Sequence, residues 1–138
     1  LLIIMKKILL SILLIGLLAT CDDGNNIGID RELNGTWEMT SYSAFLPTLP
    51  EINENDIVWT IDVDNNLLSI ENTIESEYTY ILASGNYEII ITNNSIIISD
   101  VKYGYSIENG ILILSDYQEP DEPIIADGPV MNFIKVID

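Results

Sequence analysis

The feature that most constrains the fold of this chain is a series of short segments in which apolar and polar residues alternate. In residues 57–63, for example, Trp59, Ile61 and Val63 fall on one face. A period of two indicates half-buried strands, and no segment after the first twenty residues has the period of an amphipathic helix. Asn109-Gly110 favours the type I′ turn of a β-hairpin because both residues tolerate positive φ.

These criteria predict an all-β domain of about eight or nine strands, either a small antiparallel up-and-down β-barrel or a sandwich. Closure into a barrel is favoured because an open, isoleucine-rich edge would pair between molecules. Long connections are expected over 44–55 and 117–129. The predicted strands are Thr36–Ser43, Ile57–Val63, Leu67–Asn72, Tyr78–Leu82, Tyr87–Thr92, Ile96–Ile98, Val101–Ile107, Ile111–Ser115 and Val130–Ile137.

The start of the chain has the pattern of a secretory signal. Met5-Lys6-Lys7 precede an apolar run that ends in Leu18-Ala19-Thr20, directly before Cys21. The run is too short to span a bilayer, which takes roughly 20 residues. We therefore expect residues 1–20 to be removed, with residues 1–4 as an upstream extension of the reading frame.

The net charge limits the classes of binding partner, and the cysteine count limits the covalent cross-links. Without residues 1–20 the chain keeps 22 acidic residues against Arg31, Lys102 and Lys135, a formal charge of −19. Such a surface repels nucleic acid and anionic headgroups and favours a basic protein partner, although the same charge also serves solubility. The single cysteine excludes an internal disulfide. We expect one monomeric domain over 33–138.

The segment around Cys21 resembles the lipobox of bacterial lipoproteins, with Thr20 larger than the usual residue before the cysteine. The resemblance implies acylation of Cys21 and attachment to the cell envelope through acyl chains, with 21–32 as a tether. The alternative is a secreted protein with an unused cysteine. Asp22-Asp23 are similar to an inner-membrane retention signal in one bacterial group and to a surface-export signal in another. The composition favours the second, a surface-exposed outer-membrane protein.

Leu33-Asn34-Gly35-Thr36-Trp37 resembles the opening strand of lipocalin-like domains, and Phe133-Ile134-Lys135-Val136 their last strand. The resemblance implies that Gly35 and Trp37 form the Gly-x-Trp motif, that the indole plugs one end of the barrel, and that Lys135 lies across its ring. Lipocalins more often have Arg at the last position. These roles are structural.

No residue set demands a reaction. The chain has no histidine, which excludes a Ser-His-Asp triad and a His-ligated zinc site. Carboxylate pairs are numerous, but nothing places one beside a pocket. Residues 62–66 match the opening of a calcium loop, yet Leu67 and Thr73 replace the expected glycine and acid, so a hairpin turn is favoured. The acidic loop 119–123 is expected to be solvated. We predict no enzyme activity, no metal site and no cofactor.

Two binding functions are considered, and the lipocalin resemblance favours the first. The first is a barrel that holds one small apolar ligand, with its mouth near the long connections. The second is a filled, acidic barrel that meets another protein, because eight strands leave just enough room for side chains or one ligand. The candidate inward-facing residues for a ligand are Trp59, Ile61, Tyr87, Ile89, Tyr103 and Tyr105.

Overall fold

The computed structural model describes residues 31–44, 49–75, 81–121 and 128–137. The predicted signal segment, Cys21 and most of the predicted tether lie outside these residues. Within the same ranges, the structure contains no helix that is long and apolar enough to cross a membrane.

The described residues form eight antiparallel strands that close into one barrel, with each strand paired to its neighbours in sequence and β1 paired to β8. The prediction of an all-β, up-and-down antiparallel barrel is confirmed. The strands are β1 (Gly35–Ser43), β2 (Ile57–Asp62), β3 (Leu67–Asn72), β4 (Gly85–Ile91), β5 (Ser95–Ile98), β6 (Val101–Glu108), β7 (Ile111–Asp116) and β8 (Val130–Lys135).

Several strand ends differ from the prediction by one residue, and β4 begins at Gly85 instead of Tyr87. Ile81 and Leu82 are not in a strand, and the rest of the predicted strand Tyr78–Leu82 lies outside the described residues. Strand β8 ends at Lys135 instead of Ile137. A helical turn that includes residues 31–33 precedes β1, and its Leu33 is buried. This turn was not predicted, because its described part is too short to show a helical period.

The alternation of strand direction sorts the connections onto two ends of the barrel. The closed end carries the helical turn 31–33 and the short connections 63–66, 92–94 and 109–110. The other end, here called the mouth, carries the connections 44–56, 73–84, 99–100 and 117–129, three of which are long. The two long connections expected from the sequence therefore emerge at the same end.

Two tight hairpin turns have left-handed backbones. Asn109 and Gly110 have φ values of 52° and 77°, as the Asn-Gly sequence predicts for a type I′ turn. Ser99 and Asp100 make the second turn with φ values of 49° and 66°. This turn was harder to predict because it contains no glycine, and Asp tolerates the left-handed region better than most residues.

Large side chains fill the inside of the barrel. The rings of Trp59 and Phe133 lie 4.7 Å apart between centroids at 47° to each other, a tilted arrangement favourable to aromatic pairs. Each of the largest interior side chains has less than 2% of its surface exposed, among them Trp37, Met39, Trp59, Leu68, Ile96, Ile98, Leu112 and Phe133. These side chains leave no water-sized space beside them, so the described interior is packed.

Candidate functional site

The closed end is built around Trp37, whose side chain is completely buried. Its indole N–H donates a hydrogen bond of 2.7 Å to the carbonyl oxygen of Leu33 in the helical turn. The ammonium of Lys135 lies 5.0 Å from the Trp37 ring centroid and donates to the carbonyl oxygen of Glu32 at 2.8 Å. The structure thus brings Trp37 and Lys135 together, in the relation that the lipocalin resemblance implies.

Gly35 completes this arrangement through its backbone. Its φ of +123° is disfavoured for residues with a side chain, and a Cβ there would come within 3.3 Å of Cε of Lys135. The glycine therefore lets the β1 backbone approach Lys135 while the lysine reaches the helical turn.

We expect Gly35→Ala to lower the free energy of unfolding by about 1–3 kcal/mol, because the backbone conformation is strained for alanine and Lys135 is displaced. Gly104→Ala is the matched control, since its Cβ would meet only ordinary contacts at 3.7 Å or more. The measurement is urea unfolding of both variants. Equal stability of the two would contradict the assigned role of Gly35.

The six residues predicted to face a ligand all belong to the inner face, but they differ in accessibility. Trp59, Ile61, Ile89 and Tyr103 are buried, with 1–2% of their surface exposed. They pack against the core and offer no free surface in this conformation. A ligand at these four positions would have to displace side chains that fill the barrel.

The other two residues, Tyr87 and Tyr105, are half-buried. The Tyr87 hydroxyl donates to the carbonyl oxygen of Ala83 at 2.7 Å, and the Tyr105 hydroxyl donates to that of Thr92 at 3.0 Å. Both hydroxyls therefore tie a strand to a neighbouring connection. Their observed contacts are structural.

At the mouth, Asp56 holds two connections together. Its carboxylate accepts from the Asn53 backbone amide at 2.7 Å and from the Thr73 hydroxyl at 2.9 Å. These two donors hold the pKa of Asp56 below its ordinary value, because each stabilises the ionised form. Glu38 adds a further tie by accepting from the Asn55 amide at 2.7 Å. Sequence reasoning missed these ties, since the partners are up to 17 positions apart.

Asp56→Ala should cost stability in a pH-dependent way. Since the folded-state pKa is lowered, the contribution of Asp56 is fully present above the ordinary value of 3.8 and is lost as pH falls through the folded value. The difference in unfolding free energy between wild type and variant should therefore be largest at neutral pH and close on acidification. Comparing the two chains at each pH cancels most of the general charge repulsion. If the difference in unfolding free energy between wild type and Asp56→Ala widened as pH falls, Asp56 would not have the stabilising role assigned to it.

A groove of about 460 Å³ lies on the outer surface beside the mouth. Gly104 forms part of its floor, and its sides include Ser106, Ile113, Ser115 and Tyr117. Nearby, the ammonium of Lys102 lies 3.5 Å from the Tyr117 ring centroid. The only sequence signal for this groove is a glycine inside a strand, which often marks a place where something approaches the backbone closely.

The mouth is strongly acidic. The described residues of its four connections contain no basic side chain and seven acidic ones, namely Glu51, Glu54, Asp56, Glu75, Asp100, Glu119 and Asp121. The described connections of the closed end contain Glu32 and Asp64 against Arg31. Lys102, at the start of β6, is bonded to Glu119 at 3.4 Å. The charge of the domain is therefore unevenly distributed between its two ends.

The suspected calcium loop is a hairpin turn between β2 and β3. Asp62 accepts from the side chain and backbone of Asn65 at 2.7 and 3.1 Å, and these bonds lower the pKa of Asp62. In the part of the chain that the structure describes, no group of three or more His, Cys, Asp or Glu residues is placed to hold a metal ion.

Comparisons with protein-family models and with curated proteins found no match to the chain.

Proposed function

We propose that this chain is a lipid-anchored, non-catalytic binding module of the bacterial cell envelope, built on a lipocalin-like barrel. The observation that carries the proposal is a filled, closed barrel with three long connections and an acidic surface at one end. The lipobox-like segment before Cys21 supports the anchor, and the contact of Lys135 with Trp37 supports the kinship.

The filled interior favours a protein partner over an apolar ligand. Four of the six candidate ligand residues, Trp59, Ile61, Ile89 and Tyr103, are 1–2% exposed and belong to the buried core. A ligand of any size would cost the cohesion of this core. The mouth, by contrast, presents carboxylates that can pair with a basic surface, and binding there requires no rearrangement of the interior.

The partner is tested by capture from envelope extracts with the lipidated protein, followed by binding measurements on the purified pair. Charge pairing predicts a basic partner whose affinity falls steeply between 0.1 and about 0.5 M salt, since the screening length shortens. Neutralising the mouth with Glu51→Gln, Glu54→Gln and Asp121→Asn should weaken binding by about tenfold. Neutralising Glu32, Asp64 and Glu108 instead is the matched control, with the same charge change.

An equal loss in both triple variants would show that net charge alone attracts the partner. Salt-independent binding would contradict an electrostatic mouth. The apolar-ligand function is read separately, by titrating a neutral polarity-sensitive dye into the protein and by mass spectrometry of lipids extracted from it. Stoichiometric dye binding that lipids displace would favour the ligand function over the partner function.

The anchor is tested by mass spectrometry of the N-terminal peptide of protein extracted from its native membrane. A mature chain that begins at an acylated Cys21 is the expected product. A soluble chain with a free thiol would support the secreted alternative.

A further inference from the structure

We propose that the closed end of the barrel is a bilayer-facing surface, which rests on the lipid to which the chain is anchored. This inference deepens the proposed function by assigning an orientation, and it depends on the anchor at Cys21. Two independent observations carry it: where the chain from Cys21 enters the barrel, and where exposed apolar side chains collect.

The first observation is the entry point of the chain. Arg31, the first described residue, lies in the helical turn whose Leu33 carbonyl accepts the Trp37 N–H at the closed end. Ten residue steps separate it from Cys21, a span of at most about 35 Å. An acyl group on Cys21 therefore keeps the point where the chain enters the closed end within about 35 Å of the bilayer. The acidic mouth lies at the far end of the strands.

The second observation is a cluster of exposed aliphatic side chains, here called the closed-end patch: Ile111, Ile134, Val136 and Ile137. Ile111 and Ile134 are directly opposite each other on the outer faces of β7 and β8, and the Val136 amide is bonded to Thr36 at the start of β1. They are 40, 43, 39 and 91% exposed, and they make up four of the six large hydrophobic residues that are exposed in the described ranges.

A zwitterionic lipid surface is the occupant that fits this patch. Aliphatic side chains enter the interfacial region of a bilayer favourably, because this removes apolar surface from water. With the strand ends included, the described residues of the closed end carry four acidic side chains and two basic ones, whereas the described connections of the mouth carry seven acidic residues and no basic one. Less uncompensated charge therefore approaches the lipid at the closed end than at the mouth. Docking in this orientation turns the seven mouth carboxylates away from the membrane.

The test uses the chain from Cys21 onward, coupled at that cysteine to a maleimide phospholipid in phosphatidylcholine vesicles. A tryptophan reporter is placed at the patch by Ile137→Trp and, as the matched control, at the mouth by Asp121→Trp. The native Trp37 and Trp59 are buried and give a constant background. Phosphatidylcholine brominated near the headgroup end of its chains should quench the patch reporter about threefold more than the mouth reporter.

In the Ile137→Trp background, Ile134→Ser should reduce that quenching to the level of the mouth reporter. Val101→Ser, which alters a 42% exposed valine at the mouth end of β6, should leave it unchanged. Equal quenching of both reporters, or quenching insensitive to Ile134→Ser, would overturn the docking. Because the phospholipid is attached chemically, these outcomes do not depend on acylation of Cys21 in the cell. Acylation is tested separately, by mass spectrometry of the N-terminal peptide.

Discussion

Replacing Trp37 with alanine is expected to lower the unfolding free energy by about 3–5 kcal/mol, the usual cost of removing a large buried aromatic side chain. The indole is fully buried, and it is the donor to the Leu33 carbonyl at 2.7 Å. Its removal leaves a cavity at the closed end. The Leu33 carbonyl loses its hydrogen-bond donor, and the Lys135 ammonium loses its contact with the aromatic ring. Since small domains have only 5–15 kcal/mol to lose, the variant should be marginally stable. Urea unfolding followed by circular dichroism measures the change.

Two further variants separate the causes. Trp37→Phe keeps an aromatic ring but loses the N–H donor, so an intermediate loss is expected. Thr40→Ala, on the same strand, removes only an exposed hydroxyl whose bond to the Asn132 carbonyl is 3.2 Å long, and should cost no more than about 1 kcal/mol. If Trp37→Ala were as stable as Thr40→Ala, the indole would not close the barrel as the structure indicates.

The second large effect is expected from Trp59→Ala, which should cost about 3–5 kcal/mol and create an apolar cavity in the interior. Trp59 packs against Phe133 and is 1% exposed. A dry cavity of this kind binds small aromatic molecules. Indole should therefore raise the melting temperature of the variant, in proportion to the logarithm of its concentration, and leave wild type unchanged.

This experiment also decides between the two binding functions. If indole stabilised wild type as much as the variant, the interior would already have room for a ligand, contrary to the packing. Trp59→Phe opens a smaller space and remains informative if the alanine variant fails to fold. Ile90→Ala is the control for nonspecific effects, because it trims a side chain on the outer surface.

The acidic mouth and the closed-end patch together give the domain a defined polarity. The chain enters at one end, the carboxylates collect at the other, and the filled barrel keeps the two apart. A rigid spacer of this kind would present the mouth to a partner while the opposite end rests on lipid. The tryptophan-reporter and charge-neutralisation experiments test the two ends independently.

The sequence was sufficient to predict the architecture because sheet faces follow directly from local alternation. In β2, Trp59 and Ile61 point inward as the period of two requires, and the Asn109-Gly110 turn needs only its two residues. The Gly-x-Trp motif and Lys135 were also visible as residue types at the two ends of the domain. They come into contact because β1 pairs with β8. This pairing places Trp37 opposite Lys135, which is 98 residues away in the chain.

Whether the barrel is hollow or filled was left open by the sequence and was decided by the tertiary structure. The alternation identifies which side chains point inward, but the free volume depends on how their shapes interlock across the barrel, as with Trp59 and Phe133. The uneven distribution of acidic residues and of exposed aliphatic residues between the two ends of the barrel was also decided by the tertiary structure. Residues such as Glu51 and Asp121 are far apart in the chain, and only closure of the eight strands brings their connections to one end. Local chemistry thus determined the elements, whereas the packed interior, the mouth and the patch arose from contacts between residues distant in sequence.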